Sequence, residues 1–223
     1  MVMLQHRFIE SAKKQPDKMA IIDRTTGRDV TYARALLASL ILARRFQKLE
    51  RGRIGIMLPT SSGGALAIIG ALMGGLTPVM INYSTGAAKN CQYAQRQCDF
   101  KAIITARPLL ERVDCDELPD MVFLEDIMDE LSNFEKAVAF VKSKLTPTLL
   151  TKLCGKKDLD KEAVILFTSG SEKDPKAVQL THKNILSNID SFSEMMDLYL
   201  SLIHISEPTR RYAIAYAGFC LKK

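Results

Sequence analysis

The sequence predicts an α/β fold: a mostly parallel sheet with helices on both faces. Three observations carry that prediction. Short apolar runs of strand length alternate along the chain with stretches of helical spacing. From Ile54 to Ala88 no residue is charged, which suits parallel strands and a connecting helix covered on both sides. Within that span "RIGIML", "SSGGALAIIGALMGG" and "TPVMIN" read as strand, helix and strand, about 30 residues in all, the size of a βαβ crossover.

The elements follow in order. Residues 6–12 form a short helix that Pro16 stops. "AIID" and "DVTY" flank the glycine of "RTTGR" as a hairpin-like pair. "TYARALLASLILARRFQKL" has apolar residues at helical spacing, with Thr31 as N-cap. A membrane span over 54–88 is the alternative reading of the uncharged run. Pro59 and Pro78 punctuate it, and the preferred reading is a helix packed against a sheet through Gly63, Gly64, Gly70, Gly74 and Gly75. "AAKNCQYAQRQC" is the next helix, and "FKAIITA" and "MVFLED" are further strands. "IMDELSNFEKAVAFVKSKL" reads as one long amphipathic helix, acids early and lysines late, ended by Pro147. A polar connector with Gly155 leads to the strand "AVILFT" at 163–168.

Composition narrows the function classes. Hydrophobic content of 47% and charged content of 25% are those of an ordinary globular protein. The formal charge of +6 includes no Arg- or Lys-rich block, so nucleic acid is not an expected partner. Five cysteines, an odd number with no C-x-x-C pair, read as reduced thiols in a cytoplasmic protein. Cys91 and Cys98 can share a helix face, as buried thiols rather than a metal site. The charged, amphipathic N-terminus is not a signal peptide.

The segment "LSLIHISEPTR", residues 200–210, resembles the in-frame translation of a transposon-end sequencing adapter. Residues 200–223 are therefore expected to be an artefactual tail that does not join the fold. Without them the charge is 27 minus 24, or +3.

The stretch "LFTSGSEKDPKAVQLTH" concentrates the chemistry. A buried strand ends in a turn, and the carboxyl end of a strand is where α/β sheets place ligand sites. Thr168, Ser169 and Ser171 supply hydroxyls, Gly170 lets a ligand approach the backbone, and Lys176 adds a point charge suited to phosphate. Successive N–H groups in such a turn can form an anion nest. The competing reading is a solvated Ser/Gly loop. Walker A is excluded, because no second glycine precedes Lys176, and the G-x-S-x-G elbow is absent.

Thr168, Ser169, Gly170, Ser171, Pro175, Lys176, Val178, Thr181 and His182 match, position by position, the signature loop that this stretch resembles. That loop belongs to the adenylate-forming (AMP-binding) superfamily: acyl-CoA synthetases, luciferases and peptide-synthetase adenylation domains. "DVTYARALLASLILARRF" resembles the family's T-Y-x-E-L helix, and residues 53–87 its first core unit. "INYSTG" and Glu172 resemble the acyl-[acyl-carrier-protein] synthetase branch, often fused to 2-acylglycerophosphoethanolamine acyltransferases. Lys173 and Ala177 depart from it, standing where the family usually has glycine.

The resemblance implies that residues 1–199 are a partial N-terminal AMP-binding domain. It implies a parent enzyme, an acid–thiol ligase using ATP and Mg2+. A fatty acid becomes an acyl-adenylate and then a thioester on acyl carrier protein, with CoA as the alternative acceptor. Thr168, Ser169, Gly170, Ser171 and Lys176 would hold the β- and γ-phosphates, and His182 would start a helix behind its N-cap, Thr181. The chain alone is expected to be inactive, since the family's adenine, magnesium, ribose and catalytic-lysine motifs lie further along. Peripheral membrane association is left open for the full-length parent. A non-catalytic nucleotide- or phosphate-binding module is the reading from another class.

Overall fold

The computed structural model describes residues 2–155, 158–168, 175–196 and 204–205. In chain order the elements are α1 (Leu4–Lys14), the strands β1 (Met19–Asp23) and β2 (Arg28–Thr31), α2 (Tyr32–Leu49), β3 (Arg53–Ile56), α3 (Ser62–Met73) and β4 (Thr77–Met80). Then come α4 (Ala87–Cys98), β5 (Ile103–Thr105), α5 (Arg107–Val113), β6 (Met121–Phe123), α6 (Leu124–Asp129), α7 (Asn133–Lys144) and α8 (Pro147–Leu153). The last are β7 (Glu162–Phe167), β8 (Ala177–Thr181), α9 (His182–Met196) and β9 (His204–Ile205). The expected α/β class is the observed one.

Six strands form the main sheet in the order β6-β5-β3-β4-β7-β8. All neighbours are parallel except β8, which pairs antiparallel with β7 at the edge. Along β3 the side chains alternate. Ile54 and Ile56 enter a core with Leu42, Phe46, Ala67 and Ala71 of α2 and α3. Val79, Ile103 and Ile165 enter a second core, on the other face, with Cys91, Ala94 and Leu109 of α4 and α5. The chain leaves β3 for β4 in one direction and leaves β4 for β5 in the other. The carboxyl ends of β3 and β4 therefore form the switch point of the sheet, and β7 borders it.

α3 is buried almost all round, as its uncharged sequence requires, and it carries the N-cap Ser61. No helix among the described residues is long and apolar enough to cross a membrane. The expected glycine packing is present at Gly64 and Gly70 and absent at Gly75: a Cβ on Gly64 would collide with Pro59 O, and Gly70 packs on a helix rather than the sheet. A Cβ on Gly70 would stand 2.7 Å from the Cβ of Leu42 on α2. Neither atom can swing away, so Gly70→Val should separate the two helices. We expect a loss of about 2 kcal/mol, read as a fall in Tm of roughly 4–8 °C.

Asp23 joins the two halves of the N-terminal region. Its buried carboxylate accepts from Thr25 N (3.0 Å), Thr26 N (3.1 Å), Thr26 Oγ1 (2.7 Å) and Ser62 N (2.7 Å) at the start of α3. Burial pushes its pKa up, but the bonds from Ser62 and Thr26 outweigh that and hold it below the usual carboxylate value.

Three expectations are corrected and one element is added. The expected strand at 121–126 is β6 for three residues only, and Leu124 opens α6. The expected single helix at 127–145 is broken, because Ser132 and Glu135 form a capping box that starts α7 afresh. Pro147 opens α8 instead of merely ending its predecessor, since its missing N–H costs nothing in a first turn. Residues 107–113, given no element from sequence, form α5 with Pro108 in its first turn.

Two residues of the expected tail, 200–223, have a described position. His204–Ile205 pair in parallel with Ile22–Asp23, which places two of its residues along the edge of the small sheet β2-β1-β9. Residues 197–203 and 206–223 lie outside the described residues.

Candidate functional site

β7 ends at Phe167 and β8 begins at Ala177. The chain between them leaves and re-enters the sheet beside the switch point. Its mouth is closed by two reciprocal bonds: Thr168 N donates to Lys176 O (3.0 Å), and Lys176 N donates to Thr168 Oγ1 (3.0 Å). The side chains of Thr168 and Lys176 are both exposed. Among the described residues no carboxylate forms an ion pair with Lys176. Of the five residues singled out from sequence, Thr168 and Lys176 thus face each other across the mouth. Ser169, Gly170 and Ser171 lie outside the described residues, as do Glu172 and Lys173.

One residue of this site escaped the sequence reading. Tyr93 of α4 donates its hydroxyl to Pro175 O (2.8 Å), and its ring meets Phe167 edge-on at 5.9 Å. It ties the returning strand to the helix below. The signal available was an aromatic residue within an otherwise polar helix, "AAKNCQYAQRQC".

Thr181 caps α9 as expected, in a reciprocal arrangement. Asn184 N donates to Thr181 Oγ1 (3.2 Å), while Thr181 N donates to Asn184 Oδ1 (3.0 Å). His182 is buried, and its Nδ1 accepts from Leu4 N of α1 at 3.4 Å. It joins α9 to α1 and is closed to a ligand. Burial pushes its pKa down to about 4, and the charges of Lys161 and His6 add to that while Asp158 opposes it. A folded-state pKa below the unfolded value of 6.5 means that the folded chain binds fewer protons in between. Stability contributed by neutral His182 is complete above pH 6.5 and is lost as pH falls towards 4. We expect unfolding free energy to drop by on the order of 2 kcal/mol across that window, once solvent screening is allowed for. His182→Gln should flatten this dependence in urea titrations at stepped pH.

Cys91 and Cys98 are buried on one face of α4, as expected, and burial drives the Cys91 thiol up to about 12. The described residues contain no group of three His, Cys, Asp or Glu side chains placed to hold a metal ion.

A profile of the family described as AMP-binding enzyme matches residues 8–221. The chain belongs to the AMP-binding enzyme family. Among relatives of this family, the chain is 24% identical over 231 residues to the long-chain-fatty-acid–CoA ligase ACSBG2 of Xenopus laevis, covering 92% of this chain and 31% of that one. It is 34% identical over 73 residues to the medium-chain-fatty-acid–[acyl-carrier-protein] ligase JamA of Moorena producens, covering 32% and 12%. The fold is also that of the o-succinylbenzoate coenzyme A synthetase MenE of Bacillus subtilis, solved in complex with ATP and magnesium ion. There the TM-score is 0.64 at 15% identity, over 86% of this chain and 47% of that one. The chain spans about a third of the length of the fatty-acid and coumarate ligases it matches.

Proposed function

We propose that this chain is the N-terminal part of an ATP-dependent fatty-acid ligase whose β7–β8 turn holds the nucleotide's phosphates. The supporting observation is the mouth of that turn. The bond from Lys176 N occupies a lone pair of Thr168 Oγ1 but leaves the Thr168 O–H proton free to donate. An exposed ammonium and an exposed hydroxyl therefore stand on one rim, beside the switch point of a parallel sheet. A polyphosphate fits that chemistry. Ser169, Gly170 and Ser171 complete the set on sequence grounds.

ATP, when bound, supplies the electrophilic α-phosphorus and a pyrophosphate leaving group. This chain's residues bind and orient the two outer phosphates and neutralise part of their charge. Magnesium would be held by the phosphates and by residues further along the parent. A fatty-acid carboxylate is the acid, and a thiol accepts the acyl group. The likeness to JamA favours acyl carrier protein as acceptor, and the longer match to the Xenopus CoA ligase favours CoA as the second reading. The four cysteines among the described residues are free thiols, which supports a cytoplasmic location.

In this reading residues 1–199 are the partial AMP-binding domain and 200–223 an artefactual tail, which resequencing the locus tests. The functional test is ATP–pyrophosphate exchange by the full-length parent with a panel of fatty acids, followed by acyl transfer to acyl carrier protein and to CoA. Exchange that never exceeds background with any fatty acid would overturn the ligase reading.

A further inference from the structure

The helix α7 buries only Ala139 and turns its largest apolar side chains to solvent. Its inner side holds Ala139 and Val138 together with Glu135, which bonds Arg45 of α2 at 2.7 Å and lies beside Lys48. Its outer side carries Phe134, Phe140 and Val141, which are 69%, 54% and 64% exposed. Phe134, Ala137 and Val141 stand at i, i+3 and i+7, so they form one stripe. Only Leu145 and Thr146 separate α7 from α8, which exposes Leu149 and Leu153 at i and i+4, 48% and 59% open.

Charge identifies what covers this face. Residues 133–153 contain four lysines and one glutamate, and that glutamate is turned inward to Arg45. Lys144 lies over the Phe140 ring, 5.1 Å from its centre, with its ammonium beside the apolar stripe. Lys13 of α1 donates to the carbonyl of Ser143 and fastens the end of α7 to the body. Exposed aromatic and aliphatic side chains flanked by lysines, on a helix lying along the protein's surface, are the features of an interfacial membrane helix. A second copy of the chain is a poorer occupant, because pairing the two faces would set lysines against lysines.

We propose that the outer face of α7–α8 seats the protein on an anionic lipid surface, with Phe134, Phe140, Val141, Leu149 and Leu153 entering the headgroup boundary and Lys136, Lys144 and Lys152 meeting lipid phosphates. This places membrane attachment within the chain itself, independently of any fused domain and of the nucleotide reading above.

The experiment is flotation of the full-length parent with vesicles of phosphatidylcholine alone and of equal parts phosphatidylcholine and phosphatidylglycerol. The parent should float with the mixed vesicles, and added salt should weaken this. Phe140→Ser with Val141→Ser should cut the bound fraction by about tenfold or more. Lys144→Gln with Lys152→Gln should remove the preference for anionic lipid. These side chains are exposed, so thermal unfolding should be unchanged in both variants. Three results would overturn the proposal. One is no flotation with either vesicle. Another is flotation indifferent to the Phe140/Val141 pair. The third is a shift from dimer to monomer on sedimentation, caused by that pair, with flotation unaltered.

Discussion

Replacing Lys176 with alanine in the full-length parent should slow ATP–pyrophosphate exchange by about 10- to 150-fold while leaving the fold intact. The magnitude is that of one charge-assisted contact to phosphate, roughly 1.5–3 kcal/mol, expressed in the transition state. The stability half of the expectation comes from geometry. The Lys176 side chain is exposed, and the bonds that close the mouth of the turn use its backbone N–H and carbonyl, which alanine keeps. Ser171→Ala should cost less, because it removes one neutral donor among several. The two measurements are exchange per folded molecule and thermal unfolding. A sharp fall in Tm with undiminished exchange would mean that the turn is a structural loop and the phosphate reading is wrong.

Asp23→Ala should be among the most destabilising single changes in the N-terminal region, by about 3 kcal/mol. It leaves without an acceptor the N–H groups of Thr25, Thr26 and Ser62, the last of them buried at the start of α3. It also removes a negative charge from the positive end of that helix. In a chain of this length the loss should appear as a fall in Tm of roughly 6–12 °C. Asp23→Asn keeps one acceptor oxygen and should fall between the two. The wild-type carboxylate has a depressed pKa, so its contribution is complete above the unfolded value of 3.8 and is lost as pH falls through the lower folded value. In acid the gap between wild type and Asp23→Ala should therefore close. This happens at lower pH than the His182 transition, which separates the two effects. If the alanine variant melts within about 2 °C of wild type at neutral pH, the carboxylate is not the tie described here.

Much of this was legible in the sequence, for physical reasons that differ from element to element. The β3–α3–β4 unit could be read because burial on both faces excludes charge, and proline and glycine marked its limits. That a turn follows β7 could be read because glycine, proline and hydroxyl residues cluster there. The break between α6 and α7 was missed although Ser132 and Glu135 stand at capping-box spacing. Amphipathic periodicity runs on across the break and masked a local signal. The role of Tyr93 was not legible, because its contact with Pro175 joins residues far apart in sequence. Nor was the depth of His182: a histidine after an N-cap reads the same whether α1 covers it or not. The apolar stripe of Phe134 and Val141 on α7 was present in its sequence, but only the position of α2 shows that it faces outward.

The paired bonds between Thr168 and Lys176 turn the segment they enclose into a lariat whose knot lies in the sheet. Lengthening a closed loop is entropically mild, about 0.6 kcal/mol for each doubling. The tip can therefore gain, lose or exchange residues while the knot keeps the same width and the lysine stays on the same rim. A change at Thr168 matters more: valine would keep the shape and the bond from Thr168 N to Lys176 O, but would remove the Oγ1 acceptor and halve the knot.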